Sequence, residues 1–174
     1  MSKNKCVCGA KLFLRNGLPV SKLCLSCRKK KEELKKEKHK TTKTYKKSLL
    51  KRLNNQAWKL MSKWIRIKDA DWRGYVTCYS CGKIITYQQA NAGHRYHGKL
   101  NYDERNVKVQ CVECNLHKHG NLGDYEQHLI RDYGLEWSEQ LKRDANQHRG
   151  YKVIDLEKII IELTDKLSKY KQEA

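Results

Sequence analysis

Apolar and polar positions change rhythm several times along this 174-residue chain. Over 45–68, Leu49, Leu53, Ala57, Leu60, Met61, Trp64 and Ile65 recur at spacings of mostly three and four, the period of an amphipathic helix. Lys46, Lys47, Lys51, Arg52, Lys59, Lys63 and Arg66 fill much of its other surface. The stretch before it, KKKEELKKEKHKTTKT at 29–44, has one apolar residue, Leu34. With no face to bury, it is expected as a solvated helix or a flexible basic linker. Short strand-like pieces follow at Tyr75–Cys78 and Lys83–Tyr87. Helical spacing returns at Tyr125, Leu129, Ile130 and Tyr133, with Gly134 as the stop. A last helix is expected to begin at Asp155 as its N-cap and to run through Leu156, Ile159, Ile160, Leu163 and Leu167, as a packing element or a dimer contact.

This pattern predicts an α+β chain, mainly α, in four parts: a small module at 1–28, a basic linker and amphipathic helix at 29–68, a central region at 69–123, and a helical tail at 124–174. Composition narrows the function. Lys and Arg number 38 against 19 Asp and Glu, a net charge of +19, and only 39% of residues are hydrophobic. Such a chain does not build a large enzyme core, and its surface calls for a polyanionic partner, nucleic acid first. No apolar run approaches the ~20 residues of a membrane span, and the first twenty residues lack a signal-type apolar stretch, so a cytosolic protein is expected. The charge is concentrated. Residues 28–53 hold thirteen basic residues, among them Arg28, Lys29, Lys30, Lys31, Lys35, Lys36, Lys43, Lys46, Lys47, Lys51 and Arg52, against three Glu, a net +10. That exceeds what solubility requires and is read as a DNA-backbone contact, insensitive to base sequence and sensitive to salt.

The eight cysteines fall into four close pairs. In a reducing compartment, paired cysteines point to metal rather than to disulfides. Cys78-Tyr79-Ser80-Cys81 and Cys111-Val112-Glu113-Cys114 are two C-x-x-C knuckles that supply four thiolates for a structural Zn²⁺, and Gly82 provides the tight turn after the first. Four sulfurs close the coordination shell, so this metal pins two distant segments and has no open position for catalysis. Cys6-Val7-Cys8 and Cys24-Leu25-Ser26-Cys27 read as a second Zn²⁺ module beside the basic run, or as a simple fold staple.

Between and just after the central knuckles lie Asn91-Ala92-Gly93-His94, Glu104-Arg105-Asn106-Val107 and Asn115-Leu116-His117-Lys118-His119-Gly120-Asn121. A histidine, an asparagine and a helix-borne Asn/His framed by cysteine pairs resemble the HNH nuclease motif. The strings KWIRIKD, CYSCGK, NAGHRYH and NYDERNVKVQCVECNLHKHGNL are similar to the phage NinG/Rap recombination endonuclease family. The resemblance implies a ββα-metal core in which a hairpin and a helix hold one divalent ion. It implies a phage protein in the cytoplasm of a bacterial host that cuts branched DNA, such as Holliday junctions and D-loops, alongside phage recombination proteins. Residue by residue, it makes His94 the general base, Asn106 the brace of the hairpin loop, and Asn115 the helix-borne metal ligand. His117 is a second ligand or a phosphate contact. Arg95 and Lys118 in the matched strings are taken as further DNA contacts. Junction cutters commonly act as dimers, which would place one of the two apolar helices at a homodimer contact.

The chemistry stands beside the name. Phosphodiester hydrolysis needs an activated water and stabilisation of charge on the phosphate and the leaving oxygen. A neutral imidazole supplies the first, and one Mg²⁺ or Mn²⁺ the second. The chain departs from the family pattern at the ligands. Gly93 stands where many HNH proteins have an acidic residue, and Asn91 where Asp is common. Asn91 joins Asn115 and His117 as a candidate ligand of the catalytic ion, with His97, Asp103 and Glu104 as possible compensation. Plainer readings stand alongside: His39, His128 and His148 as surface histidines, His119 as a helix-surface residue, Gly120-Asn121 as a helix end, Asn106 as a turn residue. Two rival functions keep the same features: an HNH nuclease acting on ordinary duplex, and a zinc-built nucleic-acid-binding protein without catalysis.

Overall fold

The computed structural model describes residues 5–16, 18–19 and 21–173. Parts of the expected 1–28 module (residues 1–4, 17 and 20) and Ala174 lie outside them. The chain divides into two compact units, 1–49 and 50–174. In the first, strands β1 (Leu14–Arg15) and β2 (Leu18–Pro19) pair antiparallel, and helix α1 (Leu25–Ile67) begins. Neither Gly nor Pro occurs between Pro19 and Gly74, so nothing breaks the helix where its charge run offers no core. Residues 29–44 are therefore helical and fully exposed rather than a linker. Thr41, Thr42 and Thr44 turn their hydroxyls back onto the carbonyls four residues earlier.

The second unit opens with the C-terminal part of α1. Leu53, Ala57, Met61 and Ile65 are buried at a strict spacing of four, while Leu60 and Trp64 lie at the margin of the stripe. Two antiparallel hairpins pack on it. β3 (Tyr75–Thr77) pairs with β4 (Ile84–Thr86), Val76 facing Ile85. β5 (Asn91–His94) pairs with β6 (Val107–Gln110) in the register Asn91–Gln110, Ala92–Val109, Gly93–Lys108 and His94–Val107. The hairpins are joined where the Tyr79 N–H donates to the Val109 carbonyl. Met61, Ile65, Val76, Ala90, Ala92, Val107, Val109 and Leu163 form one apolar cluster. Fully burying a side chain of the size of Met61 or Ile65 contributes about 1.5–3 kcal/mol.

A single π-helical turn, Glu113–His117, follows β6, where the resemblance implied a helix. Helices α2 (Leu122–Tyr133), α3 (Leu135–Gln147) and α4 (Val153–Glu173) complete the unit. Gly134 stops α2 at φ 90°. Tyr125, Leu129, Leu141 and Ala145 of α2 and α3 enclose a second cluster with Leu100. The last helix begins two residues before the expected N-cap. Asp155 sits in its first turn and accepts from the Lys152 N–H at 2.8 Å, half of a capping box. Its stripe of Leu156, Leu163 and Leu167 is buried within this chain, as is that of α1. These residues of either stripe face the chain's own core, while Ile154 and Ile161 of α4 remain exposed. No described helix is long and apolar enough to cross a membrane.

Candidate functional site

The cysteines converge in two sets of four. Sγ atoms of Cys78, Cys81, Cys111 and Cys114 lie within 4.8 Å of one another, and so do those of Cys6, Cys8, Cys24 and Cys27. A tetrahedral ion with sulfur at about 2.3 Å separates its sulfurs by about 3.8 Å. The Cys81–Cys111 separation is 3.8 Å and the Cys8–Cys24 separation 3.5 Å. Both sets could therefore hold a metal ion such as zinc. In the central set the turn of the β3–β4 hairpin supplies one pair, closed by the Gly82 N–H donating to the Cys78 carbonyl with Gly82 at φ 72°. The start of the π-helical turn supplies the other, and the Cys114 N–H approaches the Cys111 sulfur at 3.4 Å.

The β5–β6 hairpin carries the rest. Directly paired residues share a face and neighbours along a strand alternate. Ala92, His94, Val107 and Val109 therefore look toward α1, and Asn91, Gly93, Lys108 and Gln110 look the other way. On the first face the His94 ring stacks on Trp58 of α1, with centroids 4.6 Å apart and planes 24° apart, and His97 lies 5.9 Å away. The buried Nε2 of His94 has no hydrogen-bond partner. Burial, with His97 adding to it, holds this imidazole down at about 4, so it is neutral at pH 7.

Asn106 follows the loop that returns to β6 and is fully buried. Its Oδ1 accepts from the Tyr96 N–H at 2.8 Å, and its Nδ2 donates to the carbonyls of Tyr96, Lys99 and Leu100. Leu100 is held at φ 46°, a left-handed conformation costly for a branched residue. One amide thus ties the loop shut around a strained position. Tyr125 adds a bond from its hydroxyl to the Asn106 carbonyl at 3.1 Å.

On the opposite face, Gln110 is fully buried. Its Nε2 donates to the Gly120 carbonyl at 2.6 Å and to the Ser80 hydroxyl at 2.5 Å. A Cβ on Gly93 would overlap the Gln110 carbonyl oxygen and stand 3.0 Å from Asn115 Oδ1. Asn91, Gln110 and Asn115 thus bring three side-chain amides to this side of the hairpin.

Comparison with known proteins agrees with these strings. The family described as "NinG: Bacteriophage Lambda NinG protein" matches residues 3–173. The chain belongs to the NinG family. Protein ninG of Escherichia phage 933W is 39% identical over 98 residues, which cover 54% of this chain and 46% of that protein. Those of Salmonella phage P22 and Escherichia phage lambda are 38% identical over the same length and shares. The matched stretch spans about half the length of these curated relatives. No solved structure matches.

The remaining candidates of this NinG-family chain separate. His117 is exposed and lines a shallow groove with Lys83, Ile85, Gln89 and Glu113. Among the described residues it joins no cluster of His, Cys, Asp or Glu ligands. The groups that would compensate for Gly93 are engaged or placed elsewhere. Glu104 accepts from Lys166, Trp64 and Lys68. Burial would raise its carboxyl, but these three bonds bring it to about 2. It anchors the loop to α1 and α4. Asp103 is paired with Arg105 at 2.6 Å. His97 stands exposed beside His94.

Arg95, read as a DNA contact, is ion-paired with Glu126 and lies over the Tyr96 ring at 4.9 Å. Its charge has a partner within the chain. Lys118 and the named residues of the 28–52 run are all exposed. His128 is not a free surface histidine, for its Nδ1 lies 2.5 Å from the Tyr79 carbonyl. His148 accepts from the Gly150 N–H, His39 is exposed, and His119 is exposed at φ 48°. Gly120-Asn121 does end one turn, and Asn121 then leads into α2. Sequence reading missed Trp58, Tyr125, Ser80 and Gln110 as parts of this site. Gln110 had a signal, its place directly before Cys111 in the quoted string. Trp58 had none, since it stands beside an apolar stripe that reads as packing.

Proposed function

We propose that this protein is a metal-dependent DNA endonuclease of HNH type, acting on branched intermediates of phage recombination. The observation that carries the reading is His94. It is a neutral imidazole with an unpartnered Nε2, next in sequence to the Gly93 position over which amide oxygens gather. The branched substrate rests on the resemblance of the whole chain, and the chemistry rests on this hairpin.

In this reading a phosphodiester lies across the end of β5. His94 accepts a proton from the attacking water. Its low proton affinity rises when a phosphate anion comes beside it, because a negative neighbour stabilises the imidazolium. Trp58 fixes the ring plane, and Asn106 keeps the loop after His94 closed so that the imidazole does not drift. A divalent cation held on the opposite face by Asn91 and Asn115 would polarise the phosphate and stabilise the leaving 3′ oxygen. The cysteine sets remain scaffolding, since four sulfurs leave no position for substrate. The exposed cations of 28–52 supply a sequence-independent hold on the backbone, and the salt slope of binding falls as they are removed.

A second reading, a zinc-built DNA-binding protein without catalysis, draws on the amide-only character of the oxygens around Gly93, since amides hold Mg²⁺ less firmly than carboxylates. One experiment separates them. Wild type and His94→Ala are mixed with an immobile four-way junction and a linear duplex of the same sequence, with Mg²⁺, Mn²⁺ or EDTA. Metal-dependent cutting of the junction, absent in the variant, is expected. Equal cutting of both DNAs removes the branch preference. Binding without cutting leaves the second reading.

A further inference from the structure

The conspicuous defect of the site is Gly93, a residue without a side chain where a carboxylate is common in the motif it resembles. Its backbone is ordinary strand, paired with Lys108, so conformation does not demand glycine. Space does. A Cβ at 93 would overlap the Gln110 carbonyl oxygen and stand 2.6 Å from its carbonyl carbon. The volume that an acidic side chain would enter is already filled, and it is filled by an oxygen.

The orientation of that oxygen is determined. Gln110 Nε2 meets the Gly120 carbonyl at 2.6 Å, and a carbonyl can only accept, so the amide must turn its NH₂ toward Gly120. Its Oε1 is then left facing Gly93. It is buried and has no hydrogen-bond partner. A buried amide oxygen in that state is destabilising unless it gains a partner. Asn115 Oδ1 lies 3.0 Å from the same Cβ position. Two side-chain oxygens therefore lie close together over the Gly93 backbone.

We propose that Gln110 supplies the ligand that Gly93 lacks, its Oε1 binding a divalent cation together with Asn115. The inference rests on the nuclease reading for its use but not for its test. Gly93 and Gln110 act as an exchange: the side chain lost from β5 is replaced from its paired strand β6. The cation is a hard one, Mg²⁺ or Mn²⁺, because both donors are neutral oxygens.

The test is Mn²⁺ binding to the full, zinc-loaded protein, followed by the electron paramagnetic resonance of free Mn²⁺, with zinc content checked in every variant. Gln110→Ala is expected to weaken binding by about tenfold or more. Gly93→Asp combined with Gln110→Ala returns the carboxylate to β5 and restores what Gln110→Ala lost. Should Gln110→Ala lose zinc through its neighbour Cys111, Gly93→Ala displaces the Gln110 amide without altering β6 and is expected to weaken Mn²⁺ in the same way. Wild-type Mn²⁺ affinity in Gln110→Ala with zinc intact, or no Mn²⁺ binding by wild type, overturns the proposal. The two readings fail separately. A protein that binds Mn²⁺ through Gln110 but cuts no DNA loses the nuclease reading alone. One that cuts DNA with Mn²⁺ affinity unchanged in Gln110→Ala loses this inference alone.

Discussion

The two faces of the β5–β6 hairpin are built from the same eight residues and have opposite characters. Toward α1 the hairpin presents Ala92, Val107 and Val109 to an apolar cluster, and His94 stacks on Trp58 at the edge of it. Away from α1 it presents Asn91, Gly93, Lys108 and Gln110, with Asn115 and the Ser80 hydroxyl close by. One face holds a titratable group neutral by denying it water. The other collects amide oxygens and one orphaned acceptor. A two-residue period lets adjacent positions 93 and 94 belong to different environments without a large core.

The sharpest way to break this comparison is His94→Ala. DNA cutting is expected to fall by about 10²-fold or more, while the DNA binding proposed for the exposed run of α1 is expected to be unchanged. Cutting at the wild-type rate would return His94 to the role of a packed edge residue. Next is the loop that both faces share. Asn106→Ala leaves the Tyr96 N–H and the carbonyls of Lys99 and Leu100 without their side-chain partner. A loss of about 2–3 kcal/mol in urea unfolding is expected, and an unchanged midpoint would mean that water replaces the amide at no cost.

The character of the apolar face is also readable by pH. His94 is held near 4 in the folded chain against an ordinary value of 6.5, so between these values the unfolded chain binds the additional proton. Stability is therefore expected to drop as pH falls through 6.5 toward 4, and His94→Gln should remove that component of the acid slope. An identical slope in wild type and variant would show that His94 titrates freely. The smallest effect expected is on the proton affinity itself. Trp58→Leu opens one side of the ring and should move the His94 titration, followed by nuclear magnetic resonance, upward by about one pH unit. No movement would place the cause of the low value elsewhere in the pocket.

Much of this molecule was legible from residue patterns. The C-x-C and C-x-x-C spacings announced two clusters, and the sulfurs do converge in two sets of four. The stripe Leu53–Ile65 announced the helix. Gly134 announced the end of α2. Other features were invisible because they depend on partners far along the chain. Nothing in the string NAGHRYH says that His94 meets Trp58, 36 positions earlier. Arg95 reads as a free cation until Glu126, 31 positions on, takes it. Glu104 reads as a spare ligand until Lys68 and Lys166 claim it. The stripes of α1 and α4 read as unpartnered until Met61, Ile65 and Leu163 meet in one cluster.

The spacing of the cysteine pairs, the amphipathic stripe of α1, the excess of positive charge and membership of the NinG family were readable from residues alone. These are local or additive properties: a turn, a period, a sum of charges, a run of matched letters. Tertiary structure alone decided which oxygens face Gly93, which way the Gln110 amide turns, and that His94 is neutral. Those depend on strand register and on burial by distant residues, and a register shift of one position would exchange the two faces and dismantle the site.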